Sequence, residues 1–322
     1  MILVGDIGGT KTNLAYAEAS PGSITLSSAF SYASRDYASL LEIVRDYRHT
    51  HPASVNSAAF GIAGPVIGNR CTATNLPWVV EGKELADALG GIPVRLLNDL
   101  EATAYGILRV ADRELVVLNR GTPEPHGTVA VIAPGTGLGE GALLWTGGAY
   151  RALPTEGGHT DFAPRNELEI DFLRYMLRIH KRVSYERILS GPGLVAMYDF
   201  FRQRSGVPAP EQLAKELTGD HAAAAVSAAA MSGRDAVCGE ALSLFVSLLG
   251  AETGNLALKF LSRGGVYLAG GIPPKIRPAI EGGDFIASFV AKGRFSPLLQ
   301  QIPVHLVLNE STALLGAAHA AP

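Results

Sequence analysis

Cysteine is scarce in this chain: Cys71 and Cys238 are the only two among 322 residues. They stand far apart, so the count allows one bridge but gives no sign of a disulfide framework or a cysteine-rich zinc site. Charge of one sign is equally thin. Lys plus Arg number 27 against 30 Asp plus Glu, a formal net charge of −3, which gives no electrostatic case for nucleic acid or an anionic membrane. Long apolar runs are missing too. The Ala-rich stretch over residues 221–250 is interrupted by Arg234, Asp235 and Glu240, short of the roughly 18 unbroken apolar residues of a membrane span. No basic segment precedes the first strand-like run, so a secretory leader is not expected and a cytoplasmic protein is.

What the chain does have is apolar residues and glycine. Hydrophobic residues make up 47% and charged residues 18%, enough for sizeable buried cores, and the length favours about two domains. The 37 glycines gather in short motifs rather than a low-complexity tract, which favours tight turns at a nucleotide site over disorder.

Periodicity predicts strands at residues 2–4, 14–17, 24–31, 57–62 and 94–97, with helices over 37–47, 81–89 and 100–108. A second set has strands at 115–118, 128–133, 138–145, 265–269 and 304–308. Its helices cover 167–179, 185–189, 194–204, 211–217 and 273–280, with a long helical region over 221–261 broken at Gly233 and near Gly250. A final helix, 312–320, is expected to return to the first set. The chain thus reads as two α/β domains, residues 1–108 with 309–322 and residues 109–308. Each begins with strands and a glycine turn, a weak internal repeat, and two such lobes would leave a cleft for a ligand.

Gly5-Asp6-Ile7-Gly8-Gly9-Thr10-Lys11-Thr12 joins the first two strands. Glycines let backbone N–H groups approach an anion. Asp6 offers a carboxylate for magnesium and Thr10 a hydroxyl for a terminal phosphate. The segment nearly matches a P-loop, but a P-loop must open a helix, and the apolar residues after Thr12 read as strand. An ordinary glycine hairpin remains the alternative. Gly135-Thr136-Gly137-Leu138-Gly139-Glu140-Gly141 likewise runs into strand, so a hairpin fits better than a dinucleotide turn, which needs a helix. Gly270 and Gly271 separate a strand from a proline-opened helix and would let a nucleoside lie flat against the backbone, although plain turn chemistry explains them as well. Asn98 and Asp99 fall at the carboxyl end of a strand, where Asp99 either accepts a proton from an attacking hydroxyl or caps the following helix. Glu156 and His159 share a glycine-broken loop and suit a polyol; one His without Cys partners is poor zinc chemistry. Glu186 is a third polar group or an exposed helical glutamate.

Taken in order, these pieces resemble the bacterial glucokinase family of the sugar kinase–actin–heat-shock ATPase superfamily. The matching stretches are Gly5-Asp-Ile-Gly-Gly-Thr10, Gly61-Ile-Ala-Gly-Pro65, Asn98-Asp99, Gly135-Thr-Gly-Leu-Gly139, Glu156-Gly-Gly-His-Thr-Asp-Phe-Ala-Pro164, Glu186-Arg-Ile-Leu-Ser-Gly-Pro-Gly193, Gly254-Asn-Leu-Ala257 and Leu268-Ala-Gly-Gly271. The related repressor–ORF–kinase group carries a cysteine-rich zinc motif and a histidine ligand. That cluster is missing here, so the resemblance is to the other branch and His159 goes to sugar.

The resemblance implies an actin-like (ribonuclease H-like) two-domain ATPase fold with an interdomain cleft, and ATP-dependent phosphorylation of D-glucose at its 6-hydroxyl. It implies that Asn98, Asp99, Glu156, His159 and Glu186 contact the sugar, Asp99 as base. Asp6 would face Mg²⁺ through water. Gly8, Gly9, Thr10 and Lys11, with Gly135, Thr136 and Gly137, would hold phosphate, and Gly270 and Gly271 the nucleoside. It also implies a homodimer. Another hexose (mannose, fructose or an N-acetylhexosamine), or a non-catalytic actin-like nucleotide-binding protein, stays open at this point.

Overall fold

The computed structural model describes residues 1–20, 23–219 and 221–322. They form two compact units, one of Met1–Leu115, Gly141–Pro154 and Asn309–Pro322, the other of Val116–Glu140 and Thr155–Leu308. Gly141–Pro154 belongs with the first unit, whereas pattern alone puts it in the larger domain.

The first unit is built on β1 (Ile2–Ile7), β2 (Lys11–Ser20), β3 (Ser23–Ala33), β4 (Ser57–Ile62), β5 (Val66–Ile67), β6 (Arg70–Thr72), β7 (Val79–Glu81) and β8 (Val94–Asn98). The main sheet is ordered β3-β2-β1-β4-β8, and β5-β6-β7 form a small separate sheet. Strands β1, β2 and β3 pair antiparallel, while β4 and β8 add in parallel. Every residue of β4, Ser-Ala-Ala-Phe-Gly-Ile, is buried, as a central parallel strand covered on both faces requires. The small sheet escapes periodicity because its strands are two or three residues long. The helix expected from residue 37 begins at Leu40, because Ser39 accepts a hydrogen bond from Glu42 N and so caps it there. Helix Asp99–Ile107 packs against the last helix, Thr312–Ala320. A Cβ on Gly106 would strike the Thr312 carbonyl, and one on Gly316 the Ala102 carbonyl, so these helices meet backbone to backbone.

The second sheet uses β9 (Leu115–Asn119), β10 (Val129–Pro134), β11 (Leu138–Trp145), β12 (Tyr150–Pro154), β13 (Gly265–Leu268) and β14 (Val304–Val307), ordered β12-β11-β10-β13-β14-β9. Apart from β9 this repeats the first sheet's plan: a strand, its returning hairpin partners on one side, two parallel strands on the other.

The long helical region breaks at Gly233, which takes φ +67°, and Asp235 then caps helix Ala236–Phe260 by accepting from Cys238 N. It does not break at Gly250. That helix runs on because Gly250 and Gly254 serve contact rather than termination. A Cβ on Gly250 would collide with the Phe285 carbonyl, and one on Gly254 would lie 2.5 Å from the Phe289 carbonyl, both on helix Asp284–Val290. By length and composition Ala236–Phe260 is apolar enough to cross a membrane, but 78% of its apolar window is buried, which makes it a core helix. The expected helix at 273–280 is a 3-10 turn, Pro273–Ile276, followed by helix Arg277–Glu281. Pro278 has no N–H to continue the first piece into the second. Cys71 and Cys238 are both free and buried.

Gly250→Ala is expected to lose about 1–3 kcal/mol of stability through overpacking. Gly239→Ala on the same helix, where a Cβ meets nothing within 4 Å, should be neutral or gain up to ~1 kcal/mol. Urea unfolding of the two variants checks the contrast; equal effects would remove the contact role of Gly250.

Candidate active site

In the first unit, parallel pairing sets Ile7 beside Ile62 and Ile62 beside Asn98. The carboxyl ends of β1, β4 and β8 therefore share one sheet edge, where ligands of such sheets bind. The turn after β1 is followed by strand, not helix, so it is no P-loop. Gly8 N donates to Lys11 O at 2.9 Å and closes it. Buried Ser34 fastens it from outside: its hydroxyl donates to Gly8 O at 2.8 Å and its N–H to Thr10 O at 3.0 Å. Thr10 and Lys11 stay exposed. Asp6 sits at the end of β1 and accepts a long 3.4 Å hydrogen bond from Asn13 Nδ2. Burial pushes its carboxyl above the usual carboxylate value, a state that a nearby cation relieves.

Asn98, not Asp99, caps the next helix. Its Oδ1 accepts from Leu100 N (2.9 Å) and Glu101 N (3.3 Å), and its Nδ2 donates to Gly64 O at 3.1 Å. Asp99 is the first helical residue, its Oδ1 accepting from Leu100 N at 2.9 Å. The positive end of the helix dipole favours a carboxylate at that position. Burial, and then the Asp99 charge, push the Cys71 thiol up, so Cys71 is no nucleophile.

In the second unit, β10 turns at Gly135, Thr136 and Gly137 into β11, with Gly135 N donating to Gly137 O at 2.8 Å. Gly270, φ +88°, follows the neighbouring strand β13, and a Cβ there would lie 2.6 Å from Pro134 O. The glycine turn and the double glycine are thus adjacent, and Cβ atoms on Gly135 or Gly271 would point into open space.

Beside this turn, Glu186 Oε2 accepts from Leu138 N at 3.1 Å, and a Cβ on Gly137 would lie 2.5 Å from that oxygen. His159 lies between two carboxylates, Nδ1 3.7 Å from Glu186 and Nε2 3.8 Å from Glu156. Backbone bonds fix the trio: Tyr185 N donates to Thr160 O and Phe162 N to Val183 O, each at 3.0 Å. Arg182 donates to His159 O at 2.7 Å. The structure therefore brings Glu156, His159, Glu186 and the residues 135–137 turn together in one unit, and Asp6, the residues 8–11 turn, Asn98 and Asp99 together in the other. Two residues that contact these segments were not singled out from sequence: Ser34, which carries no local signal, and Glu140, buried on the same face of β11 as Leu138 and Ala142. Strand alternation alone marks Glu140 as a carboxylate on an apolar face.

Two sheets of one plan, each ending in glycine turns at its carboxyl edge, define an ATPase of the actin-like class. The Glucokinase family model matches residues 3–322. A glucokinase from Nostoc sp. is 43% identical over 336 aligned residues, covering 99% of this chain and 98% of that protein. The glucokinase of an Antarctic psychrotroph superposes with a TM-score of 0.84 at 31% identity, covering 99% of this chain and 97% of that one. That of Balamuthia mandrillaris, solved in complex with glucose, gives a TM-score of 0.82 at 22% identity over 98% and 92% of the two chains, a likeness of fold. The chain belongs to the glucokinase family, in the branch outside the repressor–ORF–kinase group.

Ser34→Ala removes one buried hydrogen bond to the first turn, worth about 0.5–1.5 kcal/mol. KM for the nucleotide should rise roughly two- to tenfold with a smaller change in KM for sugar; steady-state kinetics in both substrates checks this, and equal shifts would remove the role.

Proposed function

We propose that this protein transfers the γ-phosphoryl group of ATP to the 6-hydroxyl of D-glucose, with Asp99 as the base. The observation that carries the reading is the division of labour at β8: Asn98 satisfies the helix end, and the adjacent carboxylate stands at the ligand edge of the sheet. The hexose contacts would be Asn98, Asp99, Glu156, His159 and Glu186. Asn98 retains a second Nδ2 hydrogen for a sugar oxygen, since one is given to Gly64 O.

Backbone N–H groups of the turn at Gly8, Gly9, Thr10 and Lys11, and of Gly135, Thr136 and Gly137, would receive the phosphates; Gly270 and Gly271 would lie against the nucleoside. Asp6 suits Mg²⁺, which binds through one or two carboxylates with waters and substrate phosphates rather than in an all-protein cage. No cluster of three or more candidate ligands occurs among the described residues, and the carboxyl of Asp6 is half-buried with one long hydrogen bond. When bound, the ion supplies charge neutralisation at the phosphates. The residues themselves bind, orient and move one proton: Asp99 accepts it from the sugar hydroxyl as the new O–P bond forms and the bond to ADP breaks. Positioning and charge stabilisation supply most of the acceleration, and a placed base adds about 10²–10⁴-fold, or roughly 3–5 kcal/mol.

Asp99→Asn should lower kcat by about that 10²–10⁴-fold with an unchanged melting temperature, because Asn98 keeps the cap. ADP release measured with glucose, mannose, fructose and N-acetylglucosamine tests the whole reading. Near-normal turnover in the variant would exclude Asp99 as base, and release indifferent to sugar would exclude a hexokinase activity.

The family likeness also supports a homodimer. Light scattering is expected to return twice the chain mass; a single-chain mass at working concentration would overturn it.

A further inference from the structure

Glu140 is 1% exposed, and neither of its carboxylate oxygens has a hydrogen-bond partner. It faces Glu252, which is fully buried on helix Ala236–Phe260. Glu252 already has its cation and its amide: Lys259 Nζ at 2.9 Å on Oε1 and Asn255 Nδ2 at 2.7 Å on Oε2. Asn255 in turn accepts from Lys292 Nζ at 2.6 Å and donates to Tyr185 Oη at 3.2 Å. Among the described residues no side chain hydrogen-bonds the Glu140 carboxylate, and Lys259 is already paired with Glu252. Two carboxylates are both acceptors, so they share a bond only when one is protonated.

On its other side Glu140 meets the loop carrying Glu156 and His159. A Cβ on Gly157 would collide with Glu140 Oε2, and the Thr155 hydroxyl donates to Glu140 O at 2.6 Å while accepting from Gly157 N at 3.1 Å. Gly158 is pressed as closely on the Leu138 carbonyl. The loop therefore rests on the start of β11, with the Glu140 side chain as its floor.

We propose that Glu140 is a positioning residue for the hexose, which holds the Glu156–His159 loop in its binding form only while its carboxyl carries a proton. Ionised, it would stand as an unpaired charge beside Glu252, and relief requires the loop to lift and admit water. This rests on the assignment of Glu156 and His159 to sugar. Burial, then the Glu252 charge, raise the Glu140 pKa to about 8, with Lys259 opposing. The stability tied to that proton is complete below pH 4.5, the ordinary glutamate value, and gone once pH has risen past about 8. Lys292 is the other group of this network that titrates there, its burial lowering it to about 8.

The experiment is KM for glucose and for ATP from about pH 7 to about pH 9 in wild type, Glu140→Gln and Lys292→Met. If only the protonated form binds sugar, wild-type KM for glucose climbs about tenfold between pH 7 and pH 9 while KM for ATP stays level. Glu140→Gln, a neutral isostere, should flatten the glucose profile; Lys292→Met should keep the climb. A flat wild-type profile overturns the proposal even if the variants fail to fold. So does a climb that survives Glu140→Gln, or a matching climb in KM for ATP. Absence of glucose-dependent ADP release at neutral pH would instead sink the functional reading itself.

Discussion

The carboxyl edge of the first unit's sheet is held by one side-chain amide. A helix that begins at a sheet edge leaves backbone N–H groups without partners, and a residue there must supply them. Asn98 does so with its oxygen and uses its nitrogen to tie down Gly64, on the loop after β4. Asp99 follows it as the first helical residue, with its Oδ1 accepting from Leu100 N at 2.9 Å. The Asn98 amide therefore ends the strand and starts the helix. The helix itself is seated by Gly106 and Gly316, whose missing Cβ atoms let the last helix touch its backbone, so chain segments 200 residues apart set the aim of one carboxyl.

The second unit solves a different problem. Its ligand loop carries charge and glycine, little that would pack, and stays exposed: the Glu156 side chain is 74% accessible and that of His159 54%. Order in such a loop must come from below. Backbone bonds from Tyr185 and Phe162, Arg182 on the His159 carbonyl, and the buried face of β11 supply it. Burying a carboxyl there is costly unless it stays neutral. That cost is what would make the floor of the loop sensitive to pH on the proposed reading, as an alkane side chain would not.

Much of this was legible in the sequence where signals are local. Alternating apolar runs and glycine turns gave the hairpins, because strand period and turn chemistry act within a few residues. Neighbouring cap formers defeat that logic: Asn98 and Asp99 are both good caps, and only the backbone's path decides between them. Gly250 reads as a breaker, yet its meaning lies in the Phe285 carbonyl on another helix. Ser34 is one serine among several in a polar stretch, and its target, Gly8, is 26 positions away. Long-range contact is what a single sequence conceals.

The spacing among Glu156, His159 and Glu186, the proposed sugar contacts, argues for how a hexose would be chosen. His159 is 3.7 and 3.8 Å from its two carboxylates, beyond hydrogen-bond distance, and only one oxygen of Glu186 is taken by the backbone. The backbone beneath is tightly bonded while the side-chain atoms above keep their bonding capacity. A polyol that meets every one of them gains charge-assisted hydrogen bonds without disrupting any already made. On the proposed reading, an analogue lacking one hydroxyl would leave a carboxylate desolvated and unpaired, and the site would discriminate through that loss rather than through shape.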